Sequence, residues 1–182
     1  MDRVSPSVAK ATLPRYENDT AALRHAFSLF PSGVVSLIAR TNGKIEGMIA
    51  SAFTVGVSLA PPLVSCAIQT RSRTWPRLRG ASSIGISVLA EGQGNIAREI
   101  AGEDRSLRFV SAPLRHVGSE AVFVSGAPVW FECKIHAEVE AGDHIVVLLE
   151  VIGVGADPAL RPLVFHASSF NQLLAKPDLG HV

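Results

Sequence analysis

The sequence predicts a mostly β fold, an antiparallel barrel with short helices at its rims. Three observations carry that expectation. Residues 129–139 alternate cleanly, with Phe131, Cys133, Ile135, Ala137 and Val139 on one side and Trp130, Glu132, Lys134, His136 and Glu138 on the other. That period of two is the signature of a half-buried strand. Asn42-Gly43 separates two β-rich runs, a strong hairpin signal because such a turn needs positive φ at both central residues. Helical periods are few and short, so the connections read as hairpins and not as crossovers.

In chain order, residues 1–18 read as a tail or as an arm that packs on a neighbour. Asp19 or Thr20 can cap a helix in which Leu23, Ala26, Phe27 and Phe30 recur at helical spacing, and Pro31 ends it. Strands are expected at 34–40, 44–50, 53–58 and 63–68, with Pro61-Pro62 outside any central ladder. A short helix at 74–79 precedes a strand at 83–89, and a second at 95–101 stops at Gly102. Residues 103–120 show no period and read as a long surface loop. The strand at 129–139 turns through Ala141-Gly142-Asp143 into 144–154, which is apolar on both faces and therefore central. A last strand at 163–165 leads to a short terminal segment.

A chain of 182 residues suits one domain, expected at 19–175, with a second tail at 176–182. Apolar residues make up 47% and charged residues 18%, enough for a full core. So low a charge density suits surface hidden between subunits, or equally a long buried sheet; a homo-oligomer is expected. The net charge of +1 excludes a general nucleic-acid binder, which needs a basic face. Cys66 and Cys133 lie in apolar strand-like runs without CxxC or Cys/His spacing, so buried thiols are expected, with no metal site. The first 18 residues lack the apolar run of a signal peptide, and no segment has the length of a membrane span. A soluble cytoplasmic protein is the expectation.

Three segments offer chemistry. Residues 47–54, GMIASAFT, place small side chains at Ala50, Ser51 and Ala52. A flat heteroaromatic group can then approach the backbone amides, although small residues serve a tight strand crossing equally well. Arg71-Ser72-Arg73-Thr74 collects hydroxyls and guanidinium groups suited to a phosphate; the plainer reading is a Thr74 cap beside solvated arginines. Gly142-Asp143-His144 puts a histidine at a turn, where it serves either a ligand or a backbone acceptor. Gly92-Gln93-Gly94-Asn95-Ile96-Ala97 matches a dinucleotide fingerprint in letters only, because the parallel βαβ context is missing. No nucleophile elbow and no zinc-protease motif occurs.

Taken in order, these segments resemble the flavin reductase-like family with the FMN-binding split barrel, the small reductase components of two-component flavin monooxygenases. The resemblance runs over residues 20–173 through LRHAFSLFPSGVV (23–35), GMIASAFT (47–54), SLAPPLV (58–64), SRTWPRL (72–78), IGISVL (84–89), WFECK (130–134), Gly142-Asp143-His144, Glu150-Val151 and PLVFH (162–166). It implies that Ile49, Ala50, Ser51, Ala52 and Phe53 line the isoalloxazine and that Ser72, Arg73 and Thr74 hold the FMN phosphate. Ser32 would stand near the flavin, Phe165 would belong to the pocket wall, and His144 would lie near the nicotinamide. The family implies a homodimer as well.

Some positions depart from the family pattern. Leu149 stands where the family often has Gly and is expected to crowd the nicotinamide side. Trp75-Pro76 replaces the usual histidine, and Phe165 and Phe170 replace two tyrosines. The activity implied is NADH- or NADPH-dependent reduction of FMN, with FAD possible, for a flavin-dependent monooxygenase. A flavoprotein that keeps its FMN for its own substrate, or a flavin carrier, is the alternative.

Overall fold

The computed structural model describes Leu13 and residues 15–174; most of the expected N-terminal tail and all of 176–182 lie outside these. Its main body is one seven-stranded antiparallel sheet in the order β3-β2-β6-β9-β10-β5-β4. The strands are β2 (Val35–Thr41), β3 (Lys44–Ala50), β4 (Phe53–Leu59), β5 (Pro62–Gln69), β6 (Ile84–Val88), β9 (Val129–Ala141) and β10 (His144–Ala156). β1 (Ser32–Gly33), β11 (Val164–His166) and β12 (Ser169–Asn171) form a small second sheet, and β7 (Leu114–His116) pairs with β8 (Val122–Val124).

Local chemistry sets the turns. Asn42 (φ 49°) and Gly43 (φ 75°) both adopt positive φ, the requirement of a two-residue hairpin between β2 and β3. Gly142 at φ 63° supplies the positive φ at the first position of the turn between the two 13-residue strands β9 and β10. β10 lies between β9 and β5, the central position expected, but its faces are unequal: Val147 and Leu149 are fully buried while Ile152 and Val154 are 46% and 72% exposed.

Helix α1 (Thr20–Ser28) is capped by Asp19, whose Oδ1 accepts from the amides of Ala21 (2.9 Å) and Ala22 (3.0 Å). None of its residues is buried among the described residues: Phe27 is 66% exposed and the following Phe30 75%. α2 (Trp75–Leu78) buries Trp75 and Leu78, and α3 (Gly94–Ala101) buries Ala97 and Ile100.

The core has two parts on opposite faces of the sheet. Val35, Leu37, Val64, Cys66, Ile84, Ile86, Cys133, Val147 and Leu149 fill the inside of the curl, with α2 closing it. Val34, Ile38, Leu89, Val122, Val124 and Leu163 pack under α3 on the other face. Both thiols are pushed up to about 12 by burial, Cys133 further by Glu132, so the expectation of inert buried cysteines holds.

The stretch read as one long loop, 103–120, is partly regular. It carries a 3-10 turn (Arg105–Leu107) and β7. β8 follows it, fully buried, and three residues are too few to show a period. β8 crosses β6 at Gly85, where a Cβ would stand 2.2 Å from the Val122 carbonyl oxygen. Among the described residues no helix is long and apolar enough to cross a membrane.

Candidate functional site

The strand order places β3 and β4 at opposite edges of the sheet, yet only Ser51 and Ala52 connect them. Two residues with their flanking bonds reach about 10 Å. The sheet must therefore curl until its edges meet, and Ser51-Ala52 crosses the gap where the ladder is interrupted. Both residues are exposed. Ala52 accepts from the Ala67 amide (3.0 Å), while the amides of Ser51 and Ala52 find no partner among the described residues. Two adjacent unpaired donors with small side chains suit the polar edge of a planar ring. This break is the centre of the candidate site.

Its neighbours assemble from distant parts of the chain. Ser32 pairs directly with Phe165 across β1 and β11, bringing those two expected residues together. Phe165 makes an edge contact with Phe170 (5.7 Å between centroids), so these rings pack where family members carry tyrosines. Ile49 and Phe165 both rest on the outer core, whereas Ala50 and Phe53 rest on the inner one. The Phe53 ring lies 6.4 Å from Phe131, leaving its backbone to line the site.

The Arg71–Thr74 turn differs from the plainer reading of the sequence, the Thr74 cap. The cap of α2 is Ser72, whose Oγ accepts from the Trp75 amide at 3.1 Å; Thr74 makes no capping bond. Thr74 is instead buried and accepts from Arg108 Nη1 at 2.9 Å. Arg108 also donates to the carbonyls of Gly102 (2.7 Å) and Gly47 (3.4 Å). One guanidinium thus ties α2 to β3 and to the loop after α3. Arg108 was not singled out because it sits in a stretch without period. Arg73 is exposed, and its guanidinium has no partner among the described residues, so it is free to meet an anion. Trp75 is a core residue whose Nε1 donates to Glu138 at 2.9 Å, which accounts for tryptophan at that position.

His144 begins β10 opposite Gln69, two residues along β5 from Ala67, the partner of Ala52. That is about 7 Å along the strand and one strand spacing, about 5 Å, across. Its Nδ1 lies 2.7 Å from Asp143 Oδ1, and the histidine holds the Asp143 carboxyl below its ordinary range, with Arg71 adding to it. Thr70 donates through its amide and hydroxyl to the Asp143 carbonyl (3.0 and 3.1 Å), fastening this turn to the Arg71–Thr74 turn. Leu149 does not crowd the histidine. It is fully buried, on the opposite face of β10, in the inner core.

The small residues of 47–54 divide between the two readings. A Cβ at Gly47 would stand 2.9 Å from both Ile38 and Phe109, a packing requirement. Ser51 and Ala52 face solvent. A cavity of about 660 Å³, lined by Arg79, Ile135, Glu138, Glu140 and Ile145, contains none of the candidate residues.

The model of the flavin reductase like domain matches residues 27–174. The chain belongs to the flavin reductase-like family. A curated member, the NADH-dependent FAD reductase of Streptomyces globisporus, is 32% identical over 97% of this chain and 98% of its own. The reductase component of 4-hydroxyphenylacetate 3-monooxygenase from Thermus thermophilus is 33% identical over 84% and 96%. A solved NADH:FAD oxidoreductase of S. globisporus, in complex with NAD and FAD fragments, superposes with a TM-score of 0.84 at 31% identity, covering 92% of this chain and all of that one. The split-barrel expectation agrees with these findings, and the seven-stranded sheet of this flavin reductase-like chain stays open where Ser51-Ala52 crosses it.

Proposed function

We propose that residues 19–175 form an NADH-dependent flavin reductase domain that binds FMN or FAD across the β3–β4 break, acts in the cytoplasm and supplies reduced flavin to a partner monooxygenase. The break carries this reading, because two adjacent amides with no protein partner among the described residues, flanked by small side chains, leave donors open to the edge of a planar ring. The residues fit a flavin: Ser51 and Ala52 donate to the ring edge, and Arg73 with the Ser72 hydroxyl meets the phosphate. Arg108 holds Thr74 in place.

Bound flavin supplies the hydride acceptor and NADH the hydride. The protein's part is to position the two and to stabilise charge. The Ser51 and Ala52 amides would stabilise the negative charge that gathers on a flavin ring held at the break. Asp143 fixes the His144 ring through Nδ1, leaving Nε2 to contact the nicotinamide. Hydride transfer needs no proton from His144, which acts by orienting. Burial of Leu149 removes the feature that made a carrier attractive.

The open break is incomplete in a single chain. Val55, Val57 and Leu59 on the adjoining β4 are 60%, 42% and 89% exposed, and a second copy covering them would wall the site. The functional unit is accordingly a homodimer. The test is anaerobic: purified protein with excess FMN and NADH, following loss of the oxidised-flavin absorbance. Bleaching of many flavin equivalents supports a reductase that releases its product. Bleaching of the bound equivalent alone would make the protein a flavoprotein that retains its FMN.

A further inference from the structure

The carboxylate that holds Trp75 owes its position to an irregularity of the long hairpin. Leu148 of β10 pairs with Ala137 and Leu149 with Ile135, so His136 is an extra residue on β9. Side chains alternate along a strand, and one inserted residue turns those beyond it to the other face. The alternation read from the sequence sets Glu138 on the side of Trp130 and Glu132. The bulge brings it instead to the inner face of the curl, against Trp75 of the inner core, and leaves Val139 52% exposed. Bulges recur beside active sites, where they re-aim a side chain.

Re-aimed in this way, Glu138 holds α2 at both ends. Its Oε1 accepts from the Trp75 indole at 2.9 Å, and its Oε2 pairs with Arg79 at 2.7 Å. α2 has four residues, too few to keep a helical turn without tertiary contacts, so its orientation depends on such ties. A carboxylate only 16% exposed is kept where it is paired and hydrogen-bonded, and both oxygens are spent on this helix. The tie runs on toward the proposed phosphate contacts. The Trp75 amide donates to Ser72 Oγ at 3.1 Å, which orients that hydroxyl beside Arg73 and leaves its O–H to donate to an anion. We propose that Glu138 is a positioning residue for the flavin phosphate. It acts through Trp75 on Ser72 and Arg73, and so governs affinity for a phosphorylated flavin and not for the bare ring. This rests on the flavin-reductase reading and adds a residue to it.

Riboflavin, the same ring without a phosphate, separates positioning from a general loss of structure. Wild type, Glu138→Ala and Glu138→Gln are titrated calorimetrically with FMN and with riboflavin. Wild type should bind FMN more tightly than riboflavin. In Glu138→Ala the FMN dissociation constant should rise roughly tenfold, about 1.4 kcal/mol, while that for riboflavin moves less than about threefold. Glu138→Gln keeps an acceptor for the indole and should stay within about threefold of wild type for both ligands. If Glu138→Ala does not fold, Trp75→Phe removes the same hydrogen bond from the other side and should give the same loss for FMN alone. Equal weakening of FMN and riboflavin would make Glu138 a structural tie only and overturn the assignment. An unchanged FMN affinity, or Glu138→Gln as weak as Glu138→Ala, would overturn it as well. A wild-type chain without preference for FMN over riboflavin would overturn the phosphate contacts and this proposal with them, and one that binds neither would overturn the reductase reading beneath both.

Discussion

Arg108 makes three hydrogen bonds to three separate segments, and a planar guanidinium is suited to that because its donors diverge in a fixed fork. Hydrogen bonds to charged groups contribute about 1.5–3 kcal/mol each. Arg108→Ala should therefore raise the FMN dissociation constant by roughly ten- to a hundredfold, and Arg108→Lys should restore only part of it. An unchanged dissociation constant in a less stable protein would make Arg108 a structural clamp alone. Glu120 acts at the same scale. Its Oε2 accepts from the Ser82 amide (2.6 Å) and hydroxyl (2.9 Å), and these bonds hold its carboxyl below the ordinary 4.5. A carboxylate depressed in the folded state contributes stability above its unfolded pKa and loses it as pH falls through the folded value. Glu120→Gln should thus lower the thermal midpoint at neutral pH, and the gap to wild type should close as pH drops below 4.5. A gap that persists unchanged in acid would rule out the ionised carboxylate as its source.

At the scale of elements, the strand crossing at Gly85 is the tightest contact. A methyl there meets the backbone of Val122 and not the flexible end of a side chain, so neither strand can yield cheaply. Gly85→Ala should destabilise the fold by about 3 kcal/mol, measured by urea denaturation; a loss under about 1 kcal/mol would mean that β8 shifts freely. The same β8 marks where sequence reasoning ran out. Its three apolar residues are buried on both faces, and without alternation they look like any short apolar run. By contrast, β3 was legible to its boundaries, because Asn42-Gly43 fixed one end and the small residues after Ile49 fixed the other. The Arg71–Thr74 turn was legible in composition and not in detail: the sequence offered Thr74 as the cap of α2, and with Thr74 held by Arg108 the capping bond falls to Ser72.

For the whole molecule, the exposed apolar surface needs an account. Phe27 and Phe30 around α1, Val55 and Leu59 on β4, and Val139 and Val154 on the long hairpin are all more than half exposed, an arrangement that favours association. Light scattering should give twice the 19.3 kDa chain mass. Val57→Lys with Leu59→Lys should shift it toward the single-chain value and weaken FMN binding in parallel. A monomer with full FMN affinity would show that the site is complete in one chain.

The sequence by itself determined the strand-rich class, the hairpins and the candidate residues, because period, turn chemistry and side-chain size are local properties written along the chain. It determined the family as well, through the order of its segments. Only the tertiary structure decided that Ser51-Ala52 spans an interrupted ladder, since that depends on β3 and β4 lying at opposite edges of one curled sheet. It also decided that Leu149 points into the core and that Arg108 joins the Arg71–Thr74 turn. Each of these is a contact between segments distant in sequence, and its geometry exists only once the sheet has closed on its core.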